Sequence, residues 1–150
     1  MQFQKTPHDN TNVEGERGML QFPTVREYMS PSPCTINGSR SLATAQSLMR
    51  ERNVRHLPVL EGGQVTGLLS ERDVLLVESM PAVNPTVVRV EEAMVQNVFC
   101  ADPDDPVADV VEAMIERKLG SAVVVENDRV VGVFTTIDAL RALRDLLRAR

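Results

Sequence analysis

The chain has 150 residues; 43% are hydrophobic but only 3% are aromatic, so its core must be aliphatic and partly filled by methionine. The net charge of −5 argues against non-specific binding to nucleic acid, which depends on basic surface. The two cysteines lie outside any CxxC spacing and the two histidines have no paired ligand spacing, so the composition indicates reduced thiols and gives little support to a metal site.

Residues 1–20 precede any apolar periodicity. They are rich in Asn, Thr, Glu, Gly and Gln, which is typical of a mobile N-terminal tail. The polar start gives no secretory signal, and no apolar run approaches the length of a membrane span. We therefore expect a cytoplasmic protein without a membrane segment, whose ordered part begins near residue 21.

Residues 21–80 are predicted to form a first repeat that begins with a short turn capped by Thr24. Ser41 is positioned to cap the helix that follows the Asn37-Gly38 turn, and apolar residues recur along that helix at helical spacing. A Gly-Gly pair then marks the turn of a hairpin. The elements are the turn at 25–29, a strand at 34–36, a helix at 42–52, strands at 57–60 and 65–69, and a helix after Ser70.

Residues 81–150 are predicted to form a second repeat in the same order, after a connector at 80–88 that contains Pro81 and Pro85. Pro106 lies near the first turn of the first helix, where a missing N–H is tolerated. The last helix has an apolar face of leucines, with arginines off that face. The elements are a strand at 99–101, a helix that starts near 106, strands at 122–125 and 130–134, and a helix from about Thr136.

The two segments are copies of one unit, because the same residues recur at a constant offset of 65. The stretch from Gly67 to Asp73 returns as Gly132 to Asp138, and no gap is needed over about 50 residues. Further matching pairs are Val25 and Val90, Met29 and Met94, Met49 and Met114, Val59 and Val124, and Leu75 and Leu140. An internal repeat of this kind has to be recognised before a fold is assigned.

A single unit is not expected to be stable alone, because its three-stranded sheet would leave one face uncovered. We therefore expect an α+β (mixed α/β) fold in which two βαββα repeats pack about a pseudo-twofold axis. This symmetry would place the turns at Ser70 and Thr135 around a shared cleft, and clefts between repeats are favoured ligand sites.

Each copy carries a hydroxyl and a carboxylate three residues apart, Ser70 with Asp73 and Thr135 with Asp138. This spacing is typical of a helix N-terminus, where Ser or Thr caps the helix and an acidic side chain lies in its first turn. Taken alone, the pattern indicates only a capped helix. Its repetition at equivalent turns favours a binding site.

Residues 24–148 resemble a tandem pair of CBS domains, also called a Bateman module. The resemblance rests on the repeat length, the strand order and the stretches RHLPVLEGGQVTGLLSERD and GSAVVVENDRVVGVFTTID. It implies two CBS repeats of βαββα order with an adenosine-containing ligand in the cleft between them. The usual ligand classes of the family are AMP, ADP, ATP, S-adenosylmethionine and NAD.

The residue chemistry suits such a ligand. An Asp carboxylate can accept both ribose hydroxyls, Ser and Thr can donate to a phosphate beside free backbone N–H groups, and arginine forks or an imidazole can add further donors. Apolar side chains can form a slot for the adenine ring, either Ile36, Leu57 and Pro58 or Ala101, Ala122 and Val123. The resemblance implies that backbone amides at 35–36 and 100–101 meet the adenine edge. The candidate nucleotide-binding residues are Thr35, Ile36, Arg55, His56, Leu57, Pro58, Ser70, Arg72, Asp73, Cys100, Ala101, Gly120, Ser121, Ala122, Thr135 and Asp138.

The two candidate sites are expected to be unequal, because repeat one offers two arginines and a histidine where repeat two has Gly, Ser and Ile. The equivalent pairs are Arg55 and Gly120, His56 and Ser121, and Arg72 and Ile137. The site built mainly on repeat one should prefer ADP or ATP over adenosine, with an affinity that falls with salt. The site built on repeat two should bind weakly or take S-adenosylmethionine. Each pocket can borrow from both repeats, so the pocket that each side chain joins stays open.

No catalytic triad, metal cluster or carboxylate pair stands out, so we expect neither an enzyme nor a catalytic cofactor. In larger members of the family that the chain resembles, the pair regulates an attached enzyme, transporter or channel, and none is expected here. We therefore predict an adenine-nucleotide sensor that acts in trans on an unknown regulated protein. The alternatives are a structural dimerisation module with an empty or degenerate cleft, and a redox-linked partner of thioredoxin-type proteins.

The resemblance also implies a homodimer that forms through the helices. The final helix presents Leu140, Leu143, Leu146 and Leu147, which is more apolar surface than one repeat needs to cover. The helix after Leu42 is expected to add Leu48 and Met49. Apolar stripes of this size tend to be buried against a partner. The sequence therefore predicts a second copy of the chain on this face.

Overall fold

The computed structural model describes residues 22–31 and 34–150, and the tail expected at 1–20 lies outside this range. Within the described residues, no helix is both long and apolar enough to cross a membrane. The elements are α1 (Val25–Tyr28), β1 (Ser30–Pro31), β2 (Ile36–Asn37), α2 (Leu42–Arg52), β3 (His56–Glu61), β4 (Gln64–Ser70), α3 (Glu71–Glu78), α4 (Val90–Ala93), β5 (Cys100–Ala101), α5 (Val107–Arg117), β6 (Ser121–Glu126), β7 (Arg129–Thr135) and α6 (Thr136–Arg148).

Each repeat forms its own sheet, with strand order β2-β3-β4 in repeat one and β1-β7-β6-β5 in repeat two. The first two strands of each repeat, β2 with β3 and β5 with β6, are parallel, because a helix connects them. The last two, β3 with β4 and β6 with β7, form antiparallel hairpins. The mixed α/β fold and the strand-helix-strand-strand-helix order predicted for each repeat are therefore confirmed.

The helices cover the outer face of each sheet, and the inner faces meet one another. Along β4, Leu69 packs into the core of repeat one, whereas the neighbouring Leu68 packs between the two sheets with Val123 of β6. This division follows from the alternation of side chains along a strand. The two repeats are consequently joined sheet to sheet through an aliphatic layer, with α2 and α3 on one outside and α5 and α6 on the other.

The short segment that precedes each repeat packs on the other repeat. Val25 of α1 is fully buried in the core of repeat two, and Val90 of α4 is fully buried in the core of repeat one. Strand β1 pairs with β7, and Arg26 forms ion pairs with Asp104 at 3.1 Å and Glu126 at 2.6 Å, both in repeat two. The sequence placed the turn at 25–29 with repeat one, and its contacts show instead that each repeat is completed by a segment from outside it.

Gly132 and Gly67 make this exchange possible at the middle of β7 and β4. A Cβ at Gly132 would lie 2.8 Å from the Ser30 carbonyl oxygen and 2.6 Å from Met29 Sδ. At Gly67 it would lie 3.0 Å from the Val95 carbonyl oxygen and would overlap Met94 Sδ. Both glycines are therefore required by the close approach of the exchanged segment, and not by an unusual backbone angle.

Candidate functional site

Asp73 closes the first turn of α3 and keeps one carboxylate oxygen free. Its Oδ2 accepts hydrogen bonds from the Ser70 backbone N–H at 2.8 Å and from the Ser70 hydroxyl at 2.7 Å. Within the described part of the chain, Oδ1 accepts no hydrogen bond. Every buried side-chain oxygen or nitrogen there has a partner, so the unpartnered Oδ1 must reach solvent. Oδ2 is thus fixed by hydrogen bonds, while Oδ1 is available to a ligand.

Asp138, at the equivalent start of α6, differs in having both oxygens occupied. Its Oδ2 accepts from the Thr135 backbone N–H at 2.9 Å and the Thr135 hydroxyl at 3.0 Å. Its Oδ1 accepts from Arg141 Nη1 at 3.1 Å, and the residue is only 2% exposed. The two carboxylates predicted as equivalent are therefore equivalent in backbone position but not in availability.

His56 lies near both carboxylates, one from each repeat. It begins β3 opposite Ser70 in the antiparallel register, and its half-buried ring feels the charges of both Asp73 and Asp138. The starts of α3 and α6 therefore both lie near this imidazole.

Burial is the main influence on the protonation of His56 and lowers its pKa below the ordinary value. The neighbouring Arg55 acts in the same direction, whereas the carboxylates of Asp73 and Asp138 oppose it. The ring is therefore mostly neutral at pH 7. It forms no hydrogen bond among the described residues, so a neutral imidazole is available to donate to or accept from a ligand.

Repeat one carries two arginines at positions where repeat two has no cation. The Arg55 side chain is 84% exposed, with Nε 3.9 Å from a Glu71 carboxylate oxygen. Arg72 is exposed and forms no ion pair with any described residue. At the equivalent positions repeat two has Gly120 and Ile137, which supply no charge. The side chains at positions 55 and 72 therefore add positive charge that their counterparts in repeat two do not.

The apolar slot predicted for an adenine ring is not formed by the predicted side chains. Leu57 and Ala122 are 0% exposed, and Ile36 and Ala101 are also buried, because each belongs to the core under the helices of its repeat. Pro58 is buried on the opposite strand face from Leu57, as strand alternation requires. Leu57 and Ala122 therefore expose neither side chain nor backbone in this structure. The remaining predicted positions with accessible surface are Thr35, Cys100, Gly120 and Ser121.

Two grooves lie on the outer side of repeat one, near the predicted residues. One, of about 340 Å³, is lined by Thr35 and Ile36 together with outward residues of α2 such as Arg40 and Glu51. The other, of about 420 Å³, lies beside Arg55 and Glu71 at the start of α3. Neither groove is lined by Asp73 or Asp138.

Sequence inspection missed Arg141, which the structure brings onto Asp138. A guanidinium three residues after a carboxylate on a helix is within reach of it, so the spacing itself was the available signal. Leu76 occupies the equivalent position in repeat one and cannot form this contact.

The thiol of Cys100 is half-buried between the two sheets, and burial raises its pKa to about 11. Little thiolate is present at neutral pH, and the thiolate is the form that reacts. The described residues also contain no group of three or more His, Cys, Asp or Glu side chains that could hold a metal ion. The site is therefore built from carboxylates, an imidazole and guanidinium groups.

The family model of the CBS domain matches the chain at residues 25–79 and again at 90–145. Among solved structures, the CBS domain pair of protein MJ0100 in complex with 5′-methylthioadenosine and S-adenosyl-L-methionine is 26% identical. It superposes with a TM-score of 0.72 over 83% of this chain and 98% of that chain. The similarity therefore extends over both repeats and their connector.

Two curated relatives show the same pair in different settings. L-aspartate semialdehyde sulfurtransferase of Methanocaldococcus jannaschii is 29% identical over 93% of this chain, which spans only 27% of the length of that relative. The CBS domain-containing protein YhcV of Bacillus subtilis is 25% identical over 73% of this chain and 78% of its own length. Because the family model covers both repeats and well over half of the residues, the chain belongs to the CBS domain family and is a tandem pair of CBS domains.

Proposed function

We propose that this CBS domain pair is a regulatory module that binds an adenine nucleotide at the Asp73 side of its cleft and acts in trans on a partner protein. The observation that carries the proposal is the Asp73 carboxylate, whose Oδ2 is fixed by Ser70 while Oδ1 stays open. A fixed carboxylate with a free oxygen is suited to accept hydrogen bonds from ribose hydroxyls. The similar pair of MJ0100, which holds two adenosine-containing ligands, supports the ligand class.

The groups around Asp73 favour a phosphorylated form of that ligand. Arg72 follows Ser70 in the first turn of α3, and Arg55 precedes His56 at the start of β3. Backbone N–H groups at the start of a helix and guanidinium forks are both suited to phosphate oxygens. Neutral His56 can add one further hydrogen bond. We therefore expect ATP or ADP to bind more tightly than adenosine.

The direct test is a calorimetric titration of the protein with AMP, ADP, ATP, NAD and S-adenosylmethionine. Saturable binding of at least one of them with a defined stoichiometry supports the proposal. If none binds at millimolar concentration, the sensor function is wrong, and the alternative of a structural dimerisation module with an empty cleft is favoured. Mass spectrometry of small molecules released from the purified, denatured protein would name a ligand that co-purifies.

Removal of both arginines, in the double variant Arg55→Ala and Arg72→Ala, is expected to weaken ATP binding about tenfold or more, because hydrogen bonds to charged groups contribute about 1.5–3 kcal/mol each. Adenosine affinity should change little, and the decline of ATP affinity with salt should become shallower. Titrations with both ligands at two salt concentrations measure this. The matched control is Arg129→Ala with Arg148→Ala, which removes the same charge at the far hairpin turn and at the end of α6. An unchanged affinity and salt dependence for ATP would show that phosphate is held elsewhere.

The regulatory role is proposed together with a homodimer formed through the helices. Apolar side chains on α3 and α6 remain about half exposed or more: Leu75 56%, Leu76 60%, Leu140 54%, Leu143 48%, Leu146 56% and Leu147 60%. Met49 of α2 is only 4% exposed and packs in the core of repeat one, so it adds nothing to this surface. Apolar stripes on outer helices suit a self-complementary interface. Sedimentation at micromolar concentration is expected to give twice the monomer mass, and Leu146→Glu with Leu147→Glu should return it to the monomer. A monomeric wild-type protein would contradict the expectation.

A further inference from the structure

We propose that Arg141 decides which half of the cleft accepts a ribose, because it occupies the oxygen of Asp138 that a ligand would need. The inference rests on the proposed binding of adenosine-containing ligands and adds a specificity-determining residue to that site. In its present form the module binds one such ligand, at Asp73, and the Asp138 half is held closed by its own helix.

The contacts of the two carboxylates carry the inference. Asp138 accepts three hydrogen bonds, two from Thr135 on Oδ2 and one from Arg141 on Oδ1 at 3.1 Å. Among the described residues, Asp73 accepts only the two from Ser70, both on Oδ2. A ribose that approaches Asp138 must therefore displace a guanidinium, whereas a ribose at Asp73 meets an open oxygen.

Charge and burial indicate that replacing Arg141 by a ribose as the partner of Asp138 is unfavourable. The Asp138 side chain is 3% exposed, whereas the Arg141 side chain is 55% exposed and covers it from the solvent side. Ribose hydroxyls and a guanidinium can both donate to a carboxylate, but only the guanidinium also brings an opposite charge to it. Exchange of Arg141 for ribose would therefore leave the carboxylate less well compensated, and the ligand loses affinity by that difference.

The two repeats can be compared directly, because the residue three positions after the aspartate differs between them. Arg141 of α6 corresponds to Leu76 of α3 at the offset of 65 residues. Leu76 carries no donor and is 60% exposed, so nothing covers Asp73 from this position. The exchange of these two side chains between the repeats should exchange the open and closed states.

The test uses calorimetry with 5′-methylthioadenosine, a neutral probe that has the ribose hydroxyls but no phosphate. Wild type is expected to bind one equivalent, and Asp73→Ala to lose this binding by tenfold or more. Arg141→Leu should bind a second equivalent, and Asp73→Ala combined with Arg141→Leu should regain binding at Asp138. Leu76→Arg should weaken the Asp73 site by about tenfold or more.

Two controls separate this role from a structural one. Arg148→Leu makes the same chemical change at the far end of α6 and should leave the stoichiometry at one. Arg141→Gln removes the charge without adding an apolar side chain, and it should reproduce the second equivalent if Arg141→Leu folds poorly. The melting temperature of each ligand-free variant confirms that a change in stoichiometry is not a change in folding.

The outcomes distinguish the inference from the proposed function. Two equal sites in wild type, or one site in Arg141→Leu and Arg141→Gln alike, overturn the role of Arg141 and leave the proposed function intact. AMP, titrated in parallel, is a second probe that carries a phosphate. A loss of AMP binding in Arg141→Leu would also overturn the proposed role of Arg141, because the guanidinium would then be a phosphate ligand. If 5′-methylthioadenosine, AMP and ATP all fail to bind wild type and every Arg141 variant, the proposed function is overturned, and the inference with it. If ATP alone binds, only the inference is overturned.

Discussion

Replacement of Asp73 by Ala is expected to weaken the binding of an adenosine ligand by about tenfold or more, the largest effect of any single substitution in the cleft. The carboxylate is held by Ser70 through Oδ2 and presents Oδ1 to solvent, so it is already oriented for the ribose hydroxyls. Asp138→Ala should have a much smaller effect, because Arg141 already occupies its second oxygen.

Calorimetry with ATP and with 5′-methylthioadenosine measures the loss, and the control must account for the helix cap. Asp73→Ala also removes the acceptor for the Ser70 N–H and should lower stability by about 1 kcal/mol, as loss of a cap usually does. Ser41→Ala removes the cap of α2, where the Ser41 hydroxyl accepts from the Thr44 N–H at 3.1 Å, away from the cleft. It should lose comparable stability and keep its affinity. Unchanged affinity in the double variant of Asp73 and Asp138 would exclude ribose recognition by either carboxylate.

Replacement of Gly132 by Ala is expected to lower the free energy of unfolding by about 1–3 kcal/mol, the range that is typical of overpacking. The added Cβ would lie 2.8 Å from the Ser30 carbonyl oxygen, and this backbone atom is fixed by the pairing of β1 with β7. Met29 can move its flexible side chain, but the carbonyl can retreat only if β1 leaves the sheet. The substitution therefore loosens the segment that repeat two receives from outside its own sequence.

Urea unfolding measures this effect, and Gly120→Ala is the matched control. A Cβ at Gly120 would meet only Thr136 Oγ1, at 4.0 Å, so Ala fits there without strain. It should leave stability unchanged or raise it by about 0.4–1 kcal/mol, because the unfolded chain becomes less flexible. Equal stability of Gly132→Ala and Gly120→Ala would show that β1 is not held tightly against β7.

The sequence by itself determined the elements of each repeat and their order. Local rules suffice for these, since helix caps such as Ser41 and Ser70, the Gly-Gly hairpin turn and the alternating strands act over a few residues. The constant offset of 65 residues then made the second repeat a prediction from the first. The pairing of Ser70 with Asp73 and of Thr135 with Asp138 was predictable for the same reason, because each pair lies within one helical turn.

The tertiary structure decided everything that depends on contacts between distant residues. It placed Val25 in repeat two and Val90 in repeat one, since an apolar side chain packs wherever a core has room and sequence distance does not restrict this. It lowered the pKa of His56 by burial. It also placed most of the apolar residues predicted for an adenine slot in the cores under the helices. It also brought Arg141 within hydrogen-bond distance of Asp138, while Asp73 Oδ1 accepts no hydrogen bond from any described residue. Burial and the geometry of side chains, which the order of residues does not state, thus made two similar repeats into two unlike halves of one cleft.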